Sequence, residues 1–331
     1  MNRKIMALAS AAALLAPAVA SADVDVYGRA HLSVDFLDNG DDSAVNVSSN
    51  SSRLGFRGKH DLDYGLRGIY QIESEIRFDT QGGEIASRDT FAGIEGDFGM
   101  VRLGKFDTPL KTLRSRVDLF GDQVGDARNI TRSTVRFDER FRNSIHYRTP
   151  NMAGFFADVQ YSTNTDNAGG TDDNDNDAIS VSGTYRNGAL YAAIAYEQHN
   201  SPDEDLSAVR FAAAYDLGAL RFTGLIQQAD VDDDRTDNMY GVGVRYNLGL
   251  TNLKAQAYLL DADVDDADAT MVALGVDHRL ASNFTVYANY AFTSNDDFQN
   301  ADPYRQARSG GTAAADGETA SGLSLGMIYN F

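Results

Sequence analysis

The sequence predicts an all-β chain, a 16-stranded antiparallel transmembrane β-barrel with one long connection folded inward. Three observations predict it. Polar and apolar side chains alternate with a period of two in segment after segment; sixteen such segments are joined by alternating short turns and long polar loops; and aromatic residues gather at the ends of the apolar face. Of the 331 residues 43% are hydrophobic, with 16 Tyr and 17 Phe, which is too apolar and aromatic for a disordered chain. The absence of cysteine excludes disulfides, a thiolate nucleophile, Cys-ligated zinc and iron–sulfur clusters. With 29 Lys+Arg against 48 Asp+Glu, a nucleic-acid partner is not expected, because phosphates require a basic face.

The chain opens with Arg3 and Lys4, an apolar stretch over 5–19 and the small-x-small pattern Ala20-Ser21-Ala22, so residues 1–22 read as a signal peptide. The expected mature chain, 23–331, then carries 27 basic and 48 acidic side chains, a net charge of −21. Beyond the signal no apolar run reaches the ~18 residues that a spanning helix needs, so a membrane-embedded chain would have to cross as strands.

In the first strand Val24, Val26, Gly28, Ala30, Leu32, Val34 and Phe36 share one face, opposite Asp25, Tyr27, Arg29, His31, Ser33 and Asp35. The pattern returns in Leu190, Ala192, Ile194 and Tyr196, in Leu253, Ala255, Ala257 and Leu259, and in Phe284, Val286, Ala288, Tyr290 and Phe292. It closes on Leu323, Leu325, Met327, Tyr329 and Phe331. The sixteen segments begin near Val24, Ser52, Gly65, Arg88, Met100, Arg140, Phe155, Ala178, Ala189, Ser207, Ala219, Met239, Thr251, Thr270, Asn283 and Gly322. An even count closes a barrel, and lengths of 8–13 residues suit tilted membrane strands of about 9–11. Short turns such as Asn187-Gly188 and Ala281-Ser282 alternate with polar loops over 163–177, 198–205, 228–238, 261–269 and 293–321. A soluble sandwich would bury the apolar face, but would require neither this long–short rhythm nor Tyr196, Tyr215, Tyr246, Tyr290, Phe292, Tyr329 and Phe331 at the strand ends.

Sixteen strands enclose more space than side chains fill, so the polar face would line water. The segment 104–139 breaks the alternation and mixes Pro109, Gly121 and Gly125 with charges of both signs. A long irregular insertion of this kind usually has a function, and folded inward it would narrow the lumen. Residues 53–148 hold 17 basic and 15 acidic side chains, whereas 149–331 hold 9 and 27, so positive charge concentrates on the early strands and the insertion. Arg53, Arg88 and Arg140 are read on the polar parity of their strands; facing lipid, each would cost ~2–4 kcal/mol at the midplane.

The stretches Val26-Tyr27-Gly28-Arg29, Ser52-Arg53-Leu54-Gly55-Phe56-Arg57-Gly58, Arg88-Asp89-Thr90-Phe91-Ala92-Gly93-Ile94, Arg102-Leu103-Gly104-Lys105 with Thr108-Pro109, Asn143-Ser144-Ile145-His146-Tyr147 and Met327-Ile328-Tyr329-Asn330-Phe331 resemble the trimeric general porins of the Gram-negative outer membrane. The resemblance implies a channel for passive diffusion of small hydrophilic solutes and ions, a homotrimer set in outer-membrane lipid and lipopolysaccharide, and no enzymatic activity. It places Arg29, Arg53, Arg88 and Arg140 on a basic constriction wall and the facing loop acids among Asp118, Asp122 and Asp126, although the Pro-Glu-Phe-Gly-Gly run of enterobacterial members is absent. It also marks Tyr329 and the terminal Phe331 as the signal read by the barrel-assembly machinery. Gly28 and Ala30 on the outer face would let subunits approach closely. A solute-specific channel and an adhesin or structural barrel are the alternative functions.

Other motifs carry less. Gly322-Leu323-Ser324-Leu325-Gly326 matches a nucleophile elbow but lacks a following helix and a downstream histidine. His31, His60, His146, His199 and His278 show no metal-ligand spacing, and neither a metal nor a cofactor is expected. The acidic runs 172–177 and 261–268 lack the Gly and Glu of a calcium loop and read as solvated, with weak divalent bridging to lipopolysaccharide as the rival. The acidity of the loops leans the expected ion preference towards cations.

Overall fold

The computed structural model describes residues 23–80, 85–165, 176–201, 205–231, 235–307 and 311–331; the signal-peptide reading of 1–22 and most of the acidic run 172–177 lie outside them. Seventeen strand segments follow in order: β1 (Asp23–Asp38), β2 (Ser43–Ser49), β3 (Arg53–Asp61), β4 (Arg67–Glu75), β5 (Thr90–Gly96), β6 (Gly99–Asp107), β7 (Arg140–Arg148), β8 (Phe155–Ser162), β9 (Ala178–Asn187), β10 (Leu190–His199), β11 (Leu206–Leu217), β12 (Leu220–Val231), β13 (Arg235–Leu248), β14 (Thr251–Asp261), β15 (Ala269–Ala281), β16 (Phe284–Asn295) and β17 (Ala320–Asn330). Apart from β2 and β3, sequence neighbours pair antiparallel, and β1 closes the ring on β17 from Arg29↔Asn330 to Asp38↔Ser321.

Seventeen segments make sixteen staves because β2 and β3 lie end to end along β1. Residues 50–52 interrupt them, with Ser51 at φ 58°. The break is sealed by the Asn50 amide donating to the His31 carbonyl at 2.8 Å and by the His31 amide donating to Ser52 Oγ at 2.9 Å. Period-two counting registers only the lower piece, starting near Ser52.

The two ends of the barrel differ. Connections of two to six residues join β3–β4, β5–β6 and every second pair onwards at the end that carries the start of β1 and the finish of β17; we call this the turn end. The opposite, loop end carries the long connections. There the expected loop over 228–238 is mostly strand, since β12 and β13 pair as far as Val231↔Arg235. Beyond the apolar band both faces meet water, so polar residues continue the ladder without giving an alternation signal.

The alternation decides which face is which. Val26, Ile226 and Val242 are 57%, 52% and 66% exposed, whereas Glu197, Arg210 and Gln227 on the opposite parity are fully buried. A soluble sandwich requires the reverse, so the apolar face is the outside of the barrel. Tyr196, Tyr215, Tyr246 and Tyr329 lie exposed on this outer face towards strand ends, as an interfacial aromatic belt does, whereas the equally exposed Tyr290 sits in the middle of β16. Gly28 does not form an open groove: a Cβ there would meet the ring of the chain's own Phe331 at 2.3 Å, and the two residues exchange backbone hydrogen bonds at 2.7 and 3.0 Å.

Inside, the segment between β6 and β7 folds against the lumen wall. Helix α1 (Pro109–Val117) starts at Thr108, whose side chain accepts from the Lys111 amide, with Pro109 in the first turn; a short α2 (Arg128–Thr131) follows. Leu110, Leu113, Val117, Ile130 and Phe137 pack on inward-facing Ala193, Ala195, Ala208, Ala212 and Ala214 of β10 and β11. A second cluster joins Phe120 and Val124 to Ala273, Ala291 and Tyr304, the last from the connection after β16.

Candidate functional site

The inward segment leaves a polar cavity of about 410 Å³ between its tip and the wall of β1–β7. Arg29 on β1 stands directly opposite Arg53 on β3. Arg88 is not on the polar parity of a strand, as the sequence reading had it; it precedes β5, because Thr90 is the first residue to enter the ladder with β4. Its amide donates to the Glu73 carbonyl at 3.0 Å and its Nε to the Glu73 carboxylate at 2.5 Å, which still brings it to the wall. Arg140 opens β7 and donates to Asp89 at 2.6 Å, with Asp107 at 3.0 Å. The same Glu73 takes the Tyr27 hydroxyl at 2.9 Å and lies 3.8 Å from Arg53. Arg29 makes no direct ion pair among the described residues, and its buried Nε has no hydrogen bond.

The three loop acids part company. Asp122 reaches the cavity: it bonds Arg128 at 2.9 Å and takes the Ser51 hydroxyl at 3.1 Å, touching the wall at the β2–β3 break. Burial alone would raise its carboxyl, but Arg128, Arg29, Arg53 and Arg88 together hold it far below the usual carboxylate range. Asp118 and Asp126 have fully buried side chains and face the loop's own arginines, Arg114 at 2.7 and 3.6 Å and, for Asp126, Arg128 at 2.6 Å. They organise the loop and do not form a free acidic wall. The reason is local: Arg114 is one helical turn before Asp118, and Arg128 is two residues past Asp126.

Residues that sequence reasoning passed over complete the site. Lys111 on α1 holds Asp107 at 3.0 Å; burial, then Arg140, lowers its amine to about 8 against the pull of Asp107. Across the lumen Lys254 on β14 bonds Asp277 at 3.0 Å and Gln123 at 2.6 Å and sits 4.3 Å from the Phe120 ring centroid. Arg210 on β11 grips Asp138 at 2.6 and 3.0 Å and the Leu110 carbonyl at 3.1 Å, tying both ends of the inward segment to one wall. A signal was present for Lys254 and Arg210, since each is an isolated cation on the polar parity of an otherwise apolar strand.

The remaining motifs are structural. Ser324 donates to Asp35 at 2.6 Å within a strand, with no helix after it. His146 bridges Asp158 at 2.8 Å and Arg102 at 3.1 Å, and His31 contacts Tyr287 at 3.0 Å. Among the described residues no cluster of potential metal ligands forms. In the second acidic run Asp268 accepts the Ala262 amide at 2.9 Å, as a loop-closing residue does.

A closed barrel with a lipid-compatible exterior and a charged lumen narrowed from within defines a membrane channel of the outer-membrane type. Comparison with known proteins agrees: the chain belongs to the Gram-negative porin family, whose model matches residues 7–297. It is thus an outer-membrane porin of a Gram-negative bacterium, a channel for passive diffusion. It is 30% identical to outer membrane porin protein 32 of Delftia acidovorans over the full length of both chains. It is 28% identical to the major outer membrane protein P.IB of Neisseria meningitidis over 81% of this chain and 85% of that one. The anion-selective porin from Comamonas acidovorans superposes with a TM-score of 0.84 at 28% identity, covering 94% of this chain and 100% of that chain. Salmonella typhi OmpF shares the fold, with a TM-score of 0.71 at 15% identity over 94% and 98%.

Proposed function

We propose that the mature chain, 23–331 after removal of the signal peptide, forms a homotrimeric pore that prefers small hydrophilic anions. Its eyelet consists of Arg29, Arg53, Arg88 and Arg140 facing Asp122. The observation that carries this reading is the charge around the constriction cavity, where eight cationic side chains meet four carboxylates. The sequence-based lean towards cations rested on the acidic loops. Those charges are screened beyond about 10 Å at 0.1 M salt, whereas charges in the eyelet act on every ion that passes. Two relatives support the proposal within the limits of their descriptions: the Comamonas acidovorans protein is described as an anion-selective porin, and one Vibrio cholerae neighbour as a trimer form.

Coulomb's law sets the scale. One charge at ~7 Å in water is worth about 0.6 kcal/mol, roughly a factor of e for an anion and its inverse for a cation, so removing two lowers anion permeability roughly sevenfold and raises cation permeability by about as much. The test is the reversal potential of the purified protein in planar bilayers across a KCl gradient. The wild type should sit on the chloride side, and R29Q/R53Q should move towards potassium. A wild-type potential on the potassium side overturns the proposal. The assembly roles of Tyr329 and Phe331 are tested separately, by whether F331A reaches the outer membrane.

A further inference from the structure

The wall opposite the eyelet arginines carries a row of positive charge that starts at Lys254 and continues past the constriction. In the register of the sheet, Arg221 on β12 stands directly opposite Arg245 on β13, and Arg245 directly opposite Lys254 on β14. All three share the inward parity. Directly opposite residues on antiparallel strands hold their Cβ atoms about 4.5–5.5 Å apart, and like charges so placed repel. Two acids relieve only the ends of the row: Asp216 bonds Arg221 at 2.8 Å and Asp277 bonds Lys254 at 3.0 Å. Arg245, in the middle, has no hydrogen bond or ion pair from its side chain among the described residues. The Arg116 carbonyl at the end of α1 accepts from Arg221 at 3.2 Å, which ties the inner helix to the row.

We propose that this row is a second anion station, between the eyelet and the turn end, for small oxyanions of the phosphate type. The proposal deepens the anion reading and rests on it. Three cations less two carboxylates leave one uncompensated charge, at Arg245 in the middle of the row. The guanidinium fork of Arg245 is the donor left over, and a planar fork matches the oxygen spacing of such an anion. Lys254 also borders the eyelet cavity, so an anion leaving the constriction meets the row with no uncharged gap. In a wide lumen, where water screens strongly, adjacent stations keep an anion near the wall along its path.

The experiment titrates inorganic phosphate, at about pH 8 where it is doubly charged, into chloride-conducting single channels of the full barrel in planar bilayers, from each side in turn. The expected result is a saturable fall in chloride current, with the apparent phosphate affinity about tenfold weaker in R245Q and stronger in D216N, since one variant removes a charge-assisted donor and the other frees Arg221. Phosphate curves that superpose for wild type and R245Q, or a D216N channel that binds phosphate more weakly, overturn the station. A cation-selective wild type overturns the anion reading itself. An anion-selective wild type with phosphate block insensitive to R245Q leaves the eyelet standing and removes only the second station. Should R245Q fail to show the heat-dependent gel migration of a folded barrel, R245K and D216N carry the same comparison.

Discussion

Asp138 and Asp118 are both carboxylates of the inward segment with fully buried side chains, and their neighbours leave them shifted in opposite directions. Burial would raise Asp138, but Arg210 and then Arg114 hold it well below the usual carboxylate range. A depressed folded value adds stability that is present above the unfolded value and is lost only as pH falls through the folded one, so this clamp survives mild acid. Breaking it by substitution is different, because D138N leaves Arg210 buried without its charge partner, at a cost of about 3–5 kcal/mol. The expected outcome is a loosened segment, seen as noisier and larger single-channel currents. Asp118 moves the other way. Burial and then Asp126 raise it to about 6, against Arg114. Its folded form binds a proton more tightly than the unfolded chain does, so this group disfavours the ordered loop above about pH 6 and ceases to do so as pH falls through about 6 towards 4. Neutralising it also removes one negative charge beside the eyelet. The chloride preference should therefore rise between pH 7 and pH 5, and D118N should abolish that step in the reversal potential.

At the scale of elements, the inward segment folds as it does because the wall prepares a place for it. Ala193, Ala195, Ala208, Ala212 and Ala214 point into the lumen, and left bare they would put an apolar strip in contact with water. Leu113, Ile130 and Phe137 cover that strip, while the charged side chains on the other side of the segment face the cavity. Truncating the fully buried Phe137 to Ala should cost ~3–5 kcal/mol of docking while leaving the barrel intact. The check is wild-type-like thermal unfolding of the barrel together with faster proteolysis of the segment and raised conductance. Part of this was legible beforehand. Thr108-Pro109 is a helix-start signal, and alanines on the nominally polar parity indicate a face that something covers. Which side chains would meet the alanines was not legible, because the pairing spans about 55–105 residues of sequence with no local signal. The β2–β3 break was hidden for a related reason: residues 50–52 keep the chain moving in the same direction, so no turn marks them.

At the scale of the whole molecule, the barrel inverts the usual distribution of hydrophobicity. Val242 lies in the exposed outer band of β13, so V242R should destabilise the barrel by ~2–4 kcal/mol in lipid vesicles, as measured by reversible denaturant unfolding. V242L should stay near wild type. Closure joins the two ends of the chain: β1 pairs with β17, and the Phe331 ring covers Gly28. A larger side chain at position 28 would displace the terminal aromatic, which links the first residues of the barrel to the last.

Strand number, closure, outer face and the identity of the inward connection followed from the sequence alone, because a two-residue period has one geometric meaning and lipid admits only one sign of surface. The direction of the pore's charge did not follow. Asp118 and Asp126 counted as acids in any linear tally, yet once folded each spends its charge on a neighbouring arginine. Arg29 and Arg245 make no ion pair among the described residues. Whether a charge is cancelled depends on distances between atoms far apart in the chain, and only the tertiary structure brings those atoms together.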